Sequence, residues 1–124
     1  MSVEVRYEPV NMEELLRLYS PETAHRLLQG YDQINLEEFQ QAVVSARNRV
    51  PVRTGRLRDS IQILGWGAGW ISAGATAPYA RFVEWGTRYM RARPFWTPAI
   101  WEAVKRIQSR IVDLTVRTVE EATG

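Results

Sequence analysis

Apolar residues in the first thirty positions recur at helical spacing. Residues 12–19 form a short amphipathic segment, and Ser20, Pro21 and Glu22 follow it. This order is typical of a helix start, with an N-cap serine, a first-turn proline and an acid near the positive helix end. Gly30 is predicted to end this second helix, because glycine is the commonest residue just beyond a helix C-terminus.

A third helix is predicted from residue 35 to residue 50. Asn35 and Glu38 have the spacing of an N-cap and its capping-box partner, and Pro51 is expected to end the helix because proline cannot continue the backbone ladder. Its apolar residues recur every three or four positions along one stripe, at Leu36, Phe39, Val43, Ala46 and Val50.

The middle of the chain changes to the pattern of strands. Residues 61–66 and 70–75 are short, apolar and rich in β-branched or aromatic residues, and the Gly-rich residues 67–69 between them predict a hairpin. One helical turn is predicted near residues 56–60. A short helical stretch after Pro78 is expected to close at Gly86.

Pro98 opens the last predicted helix, whose apolar stripe repeats the spacing of the third helix at Ile100, Val104, Ile107, Ile111 and Leu114. Packing two such stripes against each other, with a small sheet on one side, is the simplest way to bury both. The predicted fold class is therefore α+β, with a small antiparallel sheet packed against a long C-terminal helix and a helix of the N-terminal half. The first ten and last five residues are expected to fray.

Composition narrows the class of protein. The chain has 124 residues, of which 45% are hydrophobic and 24% charged, as expected for one globular domain. It has no cysteine, which excludes disulfides, thiolate metal sites and cysteine nucleophiles. No apolar run reaches the ~20 residues of a membrane helix, and the first residues do not have the pattern of a signal peptide. We therefore expect no membrane association and a protein that is cytosolic when made.

Charge is distributed unevenly along the chain. Residues 1–40 have a net charge of −5, residues 41–93 one of +7, and residues 94–124 are balanced. Nearly all the positive charge is arginine, whose planar donor fork suits paired contacts. The bias could reflect genome composition, or it could mean that a basic centre meets an acidic surface of the same or a neighbouring molecule.

Candidate catalytic groups are few and isolated. His25 is the single histidine, so no multi-histidine metal site can form, and a surface or packing role is the simpler interpretation. Asp59-Ser60 fits an exposed, capped turn better than a nucleophile. Residues 65–69 are glycine-rich but lack the last glycine of a dinucleotide fingerprint and the lysine of a P-loop. We predict no catalytic residue, no cofactor and no metal.

Two arginine runs leave a DNA-binding alternative open. One lies between Arg47 and Arg58, the other between Arg81 and Arg93, with tryptophans nearby. The competing interpretation is that several of these arginines pair with Glu84, Asp59 or an acidic helix. Glu84 is one of two acids between residues 41 and 93, and it is expected to neutralise arginine and fix a corner of the fold.

Three motifs occur in order between residues 50 and 100. The first is Pro51-Val-Arg-Thr-Gly-Arg-Leu57, the second Tyr79-Ala-Arg-Phe-Val-Glu-Trp-Gly-Thr87, and the third Ala92-Arg-Pro-Phe-Trp-Thr-Pro-Ala99. As an ordered set they resemble the neck and tail-completion proteins of long-tailed double-stranded DNA bacteriophages, also called the tail-component or head–tail joining family. Trp85 stands where the family pattern has Phe or Tyr, and residues 1–34 carry no family pattern.

The resemblance implies a non-enzymatic structural virion protein of the neck, which completes the tail by forming a ring between connector and tail tube. Its implied partners are further copies in a hexameric or dodecameric ring, the connector or adaptor, and tail tube or tail terminator proteins. DNA would pass through the ring without specific binding. The implied organisation is a single domain, 1–124, with a variable helical part at 1–34 and a core at 35–120. Residues expected to shape its central corner and interfaces are Arg53, Thr54, Gly55, Leu57, Tyr79, Glu84, Trp85, Gly86, Thr87, Arg93, Pro94 and Phe95.

Overall fold

The computed structural model of the chain describes residues 2–51 and 55–123, and it confirms the α+β class. A three-stranded antiparallel sheet lies beside two long helices, one in the first half of the chain and one at its C-terminal end. The elements in chain order are β1 (Val3–Tyr7), α1 (Met12–Leu18), α2 (Pro21–Arg49), α3 (Arg56–Asp59), β2 (Ile61–Gly67), β3 (Trp70–Ala75), α4 (Ala80–Trp85) and α5 (Thr97–Thr123).

The predicted hairpin forms β2 and β3. Its two-residue turn, Ala68 and Gly69, has positive φ at both positions (49° and 92°), which matches the right-handed twist of the flanking strands. The register of β2 shifts between Ile63 and Gly65, so a bulge bends this edge strand.

The expectation that the first ten residues fray is wrong for Val3–Tyr7. These residues form β1, which pairs antiparallel with β3 from Val3 opposite Ala75 to Tyr7 opposite Ile71. β3 is therefore the central strand, in the order β1-β3-β2. Val3, Val5 and Tyr7 pack against the core, because alternate residues of a strand face the same side of a sheet.

The core lies between the sheet and the pair of long helices. Phe39 of α2 and Ile107 of α5 are fully buried in the same cluster as Ile61 and Ile71 of the sheet. The two apolar stripes predicted from the sequence thus face this common core. Burying each such side chain is worth about 1.5–3 kcal/mol.

The prediction that a helix ends at Gly30 is wrong, since α2 continues through it as one helix. A Cβ atom on Gly30 would collide with the side chain of Leu114 in α5. Glycine therefore permits the close approach of two packed helices here, and tertiary packing outweighs its helix-breaking tendency.

The prediction of a capping box at Asn35 and Glu38 is also wrong, because both residues lie in the middle of α2 and not at its start. Their side chains are buried. The Asn35 Nδ2 group donates a hydrogen bond to the carbonyl oxygen of Gly69 at 3.2 Å, and Asp32 Oδ1 accepts one from the Gly69 N–H at 2.7 Å. Glu38 instead accepts from Arg106 of α5 at 2.9 Å. The hydrogen bonds of these polar residues connect α2 to the hairpin turn and to α5.

The predicted ends of the other helices are confirmed. α2 ends at Arg49 with Val50 as its C-cap, directly before Pro51. α4 ends against Gly86, and α5 begins at Thr97, one residue before Pro98. Consequently α4 and the first turn of α5 are joined by the loop of residues 86–96.

Candidate assembly surface

Glu84 joins the second and third sequence motifs. Its side chain is 1% exposed. The backbone N–H groups of Phe95 and Trp96 donate to its Oε2 atom, both at 2.9 Å, and the N–H of Thr97 donates to Oε1 at 2.8 Å. One buried carboxylate therefore holds the end of the loop against α4.

These three donors lie at the N-terminus of α5. The Trp96 carbonyl accepts from Ile100 N–H at 3.0 Å, so Trp96 is the first half-helical residue and the N–H groups around it have no partner within the helix. An anion at this end also meets the positive end of the helix dipole. Glu84 thus caps α5 from a different helix.

The same contacts decide the protonation state of Glu84. Burial alone would raise the pKa of its carboxyl, but hydrogen bonds from the Thr97 side chain and from the backbone of Trp96, Thr97 and Phe95 outweigh it. Together they hold the pKa of Glu84 below its ordinary value. The carboxylate therefore stays ionised at neutral pH.

The expectation that Glu84 neutralises arginine is wrong. Within residues 2–51 and 55–123, no ion pair involves this carboxylate, and its partners are the backbone N–H groups at the start of α5. Its burial within α4, beside the start of α5, explains this, because a buried carboxylate is satisfied at least cost by N–H groups that would otherwise be without a partner.

Gly86 sets the direction in which the chain leaves α4. It has φ 75° and ψ 178°, a combination that is essentially restricted to glycine. A Cβ atom there would lie 2.7 Å from both Ala92 N and Met90 O. The loop can pass this closely over the end of α4 because the position has no side chain.

The loop is tied to itself and to α4 by backbone hydrogen bonds. Thr87 and Met90 exchange N–H to carbonyl bonds of 2.9 and 3.3 Å, and the Arg93 N–H donates to Val83 O at 2.8 Å. The Tyr89 N–H donates to Thr87 Oγ1 at 3.2 Å. The segment is therefore a compact turn built on a helix end.

Large apolar side chains project from this framework into solvent. Tyr89 is 90% exposed and Trp85 60%, and Phe82 and Met90 are also exposed. Guanidinium groups lie over two of the rings, Arg81 at 5.9 Å from Trp85 and Arg88 at 5.9 Å from Tyr89. The four exposed apolar residues are named here the aromatic surface: Phe82, Trp85, Tyr89 and Met90.

The other residues predicted to shape the corner occupy several places. Leu57 and Phe95 are buried in the core, and Tyr79 packs against it partly exposed. Gly55, with φ 75°, is the N-cap of α3, and Arg93 and Pro94 are exposed along the loop. Arg53 and Thr54 lie outside the described residues. The structure therefore brings the second and third motifs together at Glu84.

Several arginines of the first basic run are engaged within the subunit. The Arg47 guanidinium donates to the carbonyl oxygen of Ile61 at 2.8 Å. Arg49 lies 3.5 Å from Glu102, and Arg58 lies 3.6 Å from its neighbour Asp59. Three described arginines of this run therefore have partners within the subunit, and the DNA-binding alternative is not favoured.

Sequence reasoning missed exposed apolar residues of α1 and α5. Leu18 of α1 and Val112 and Val116 of α5 are exposed, although they lie within helical apolar patterns. The sequence pattern did not mark these residues as exposed, since each lies beside the apolar stripe that packs on the core. The exposure of Tyr89 and Met90 could not be predicted either, because loop residues have no periodic pattern of apolar and polar positions.

The described ranges, 2–51 and 55–123, contain no group of three or more His, Cys, Asp or Glu residues that could hold a metal ion. Within the same residues, no helix is both long enough and apolar enough to cross a membrane.

A family model described as "Bacteriophage HK97-gp10, putative tail-component" matches residues 37–86. The resemblance predicted from the sequence is therefore confirmed, and over the matched residues the chain is similar to a structural component of phage tails. The matched segment runs from α2 to Gly86 and includes Glu84. No curated protein and no solved structure matches the chain.

Proposed function

We propose that this protein completes the tail of a long-tailed phage and joins it to the head, by forming a ring between the connector and the tail tube. The observation that carries the proposal is the aromatic surface, which lies on α4 and on the loop that the Glu84 contacts join to α5. Aromatic residues and arginine are enriched in the buried centres of protein interfaces. A contact surface supported in this way suits permanent assembly.

Ring formation requires two different, complementary surfaces on each subunit, because head-to-tail contacts that close by rotation use one face of each kind. The proposed ring has six or twelve subunits, as the family resemblance implies. Further partners are the connector or adaptor on one side and the tube or terminator proteins on the other. The ring is part of the virion after assembly in the host cytoplasm.

DNA would pass through this ring without specific binding. Phosphate contacts by many arginines would retain the duplex, since each neutralised phosphate adds salt-dependent affinity. The arginines beside the aromatic surface, such as Arg88 and Arg91, are therefore assigned to protein contacts and not to the lumen. No enzymatic step is part of the role.

The joining role is tested in the phage that encodes the protein. Inactivating its gene should leave filled heads and separate tails in the lysate, because the joint between them cannot form. Electron microscopy of lysates counts joined and unjoined particles, and the wild-type gene supplied in trans is the control. Joined, infectious virions without the protein would refute the proposal.

A further inference from the structure

A second exposed apolar feature lies between α1 and α5. It is a groove of about 370 Å³ whose apolar lining includes Leu15, Leu18, Ile111, Val112 and Val116. Leu18 is 74% exposed, and the two valines are exposed one helical turn apart on α5. An exposed apolar groove of this kind is a candidate interaction site.

The elements around the groove carry an excess of acids. α1 and residues 111–123 together contain five acids and the two bases Arg17 and Arg117, and one of the five, Glu121, is paired with Arg26 of α2 at 3.0 Å. Glu14 lines the groove directly, and neither Glu13 nor Glu14 forms an ion pair with any residue in the described ranges. An apolar partner with positive charge at its edge would complement this groove.

The aromatic surface has those properties. Four arginines lie between residues 81 and 93, and the one acid there, Glu84, is buried. Burying a tryptophan or tyrosine removes about 150–250 Å² each from water. Trp85 and Tyr89 are therefore suitable anchors for the centre of an interface.

The subunit cannot fill its own groove with this surface. Glu84 fixes the aromatic surface at the N-terminus of α5, whereas the groove begins near Val112. Fifteen residues of continuous helix separate Thr97 from Val112, a distance of about 22 Å. Any contact between the two features must therefore join two molecules.

We propose that the aromatic surface of one subunit occupies the α1/α5 groove of a second copy, as the repeating contact of the ring. This inference rests on the ring-forming role proposed above and names its two complementary faces. The contact is asymmetric, because each subunit offers one aromatic surface and one groove. Repetition of this contact around one axis gives a ring when the rotation closes, whereas two subunits that exchange the contact reciprocally would give only a dimer.

The test uses two full-length variants that each lose one face. Trp85→Ala with Tyr89→Ala removes the aromatic anchors, and Leu18→Arg with Val116→Arg places positive charge in the groove. All four side chains are exposed, so the fold should be retained. Matched controls are Trp66→Ala and Val44→Arg, which change exposed residues outside both faces.

Mass measurement by light scattering should find each double variant monomeric and both controls assembled as the wild type. An equimolar mixture of the two double variants should form dimers and nothing larger, because only one competent contact remains. Rings from either double variant, or a mixture that stays monomeric, would overturn the inference. These results are separate from head–tail joining, which the gene-inactivation experiment measures independently.

Discussion

Glu84→Ala should reduce the free energy of unfolding by about 4 kcal/mol. The substitution leaves the N–H groups of Phe95, Trp96 and Thr97 without their acceptor, and each unsatisfied buried donor costs about 1–3 kcal/mol. Glu84→Gln should cost roughly half as much, since its single carbonyl oxygen can still accept some of these bonds. Urea unfolding followed by tryptophan fluorescence measures both values.

Glu102→Gln is the matched control. Glu102 is an exposed carboxylate 3.5 Å from Arg49, and exposed pairs of this kind contribute about 0–1 kcal/mol. A loss for Glu84→Gln no larger than that of Glu102→Gln would contradict the capping role.

The stabilisation by Glu84 should also depend on pH. Its pKa is lowered in the folded state, so its contribution is fully present above the unfolded-state pKa, about 4.3 for glutamate. The contribution is lost as the pH falls through the lower folded-state pKa. The stability difference between wild type and Glu84→Gln should therefore be constant near neutrality and shrink in acid.

Gly86→Ala should destabilise the protein by about 3 kcal/mol. The residue has positive φ, and an added Cβ atom would lie 2.7 Å from two backbone atoms of the loop, Met90 O and Ala92 N. Backbone atoms cannot move aside as a flexible side chain can, so the strain of an unfavourable φ adds to a steric collision. The loop and its exposed Tyr89 should be displaced as well.

The control variant Gly67→Ala separates backbone strain from the steric collision. Gly67 also has positive φ, at 148°, but nothing lies within 4 Å of its added Cβ atom. This control should lose only about 1 kcal/mol, from backbone strain. Equal losses for the two variants in chemical denaturation would mean that the close approach of the loop to Gly86 is unimportant.

The sequence predicted the parts of the fold that depend on local pattern. The stripe from Leu36 to Val50 and the stripe from Ile100 to Leu114 face one core, and the hairpin lies where its glycines predicted it. Glu84 was singled out because an acid is rare in that basic stretch. Its true partners are backbone groups eleven to thirteen residues away, which composition does not reveal.

The remaining features depend on contacts between distant residues. Val3–Tyr7 alternates as a strand, but only its pairing with β3, about seventy residues later, distinguishes it from an extended end. Gly30 lies inside α2, where its missing Cβ atom leaves room for the side chain of the distant Leu114. The groove between α1 and α5 exists only once the helices have packed, so no local pattern could predict it.

Electron microscopy of the purified protein, imaged alone and with the connector of the same phage, tests the central claim most directly. The ring-forming role predicts closed rings of uniform diameter. It also predicts that the Trp85→Ala, Tyr89→Ala variant forms none at the same concentration. Wild-type protein that remains as single subunits under both conditions would contradict it.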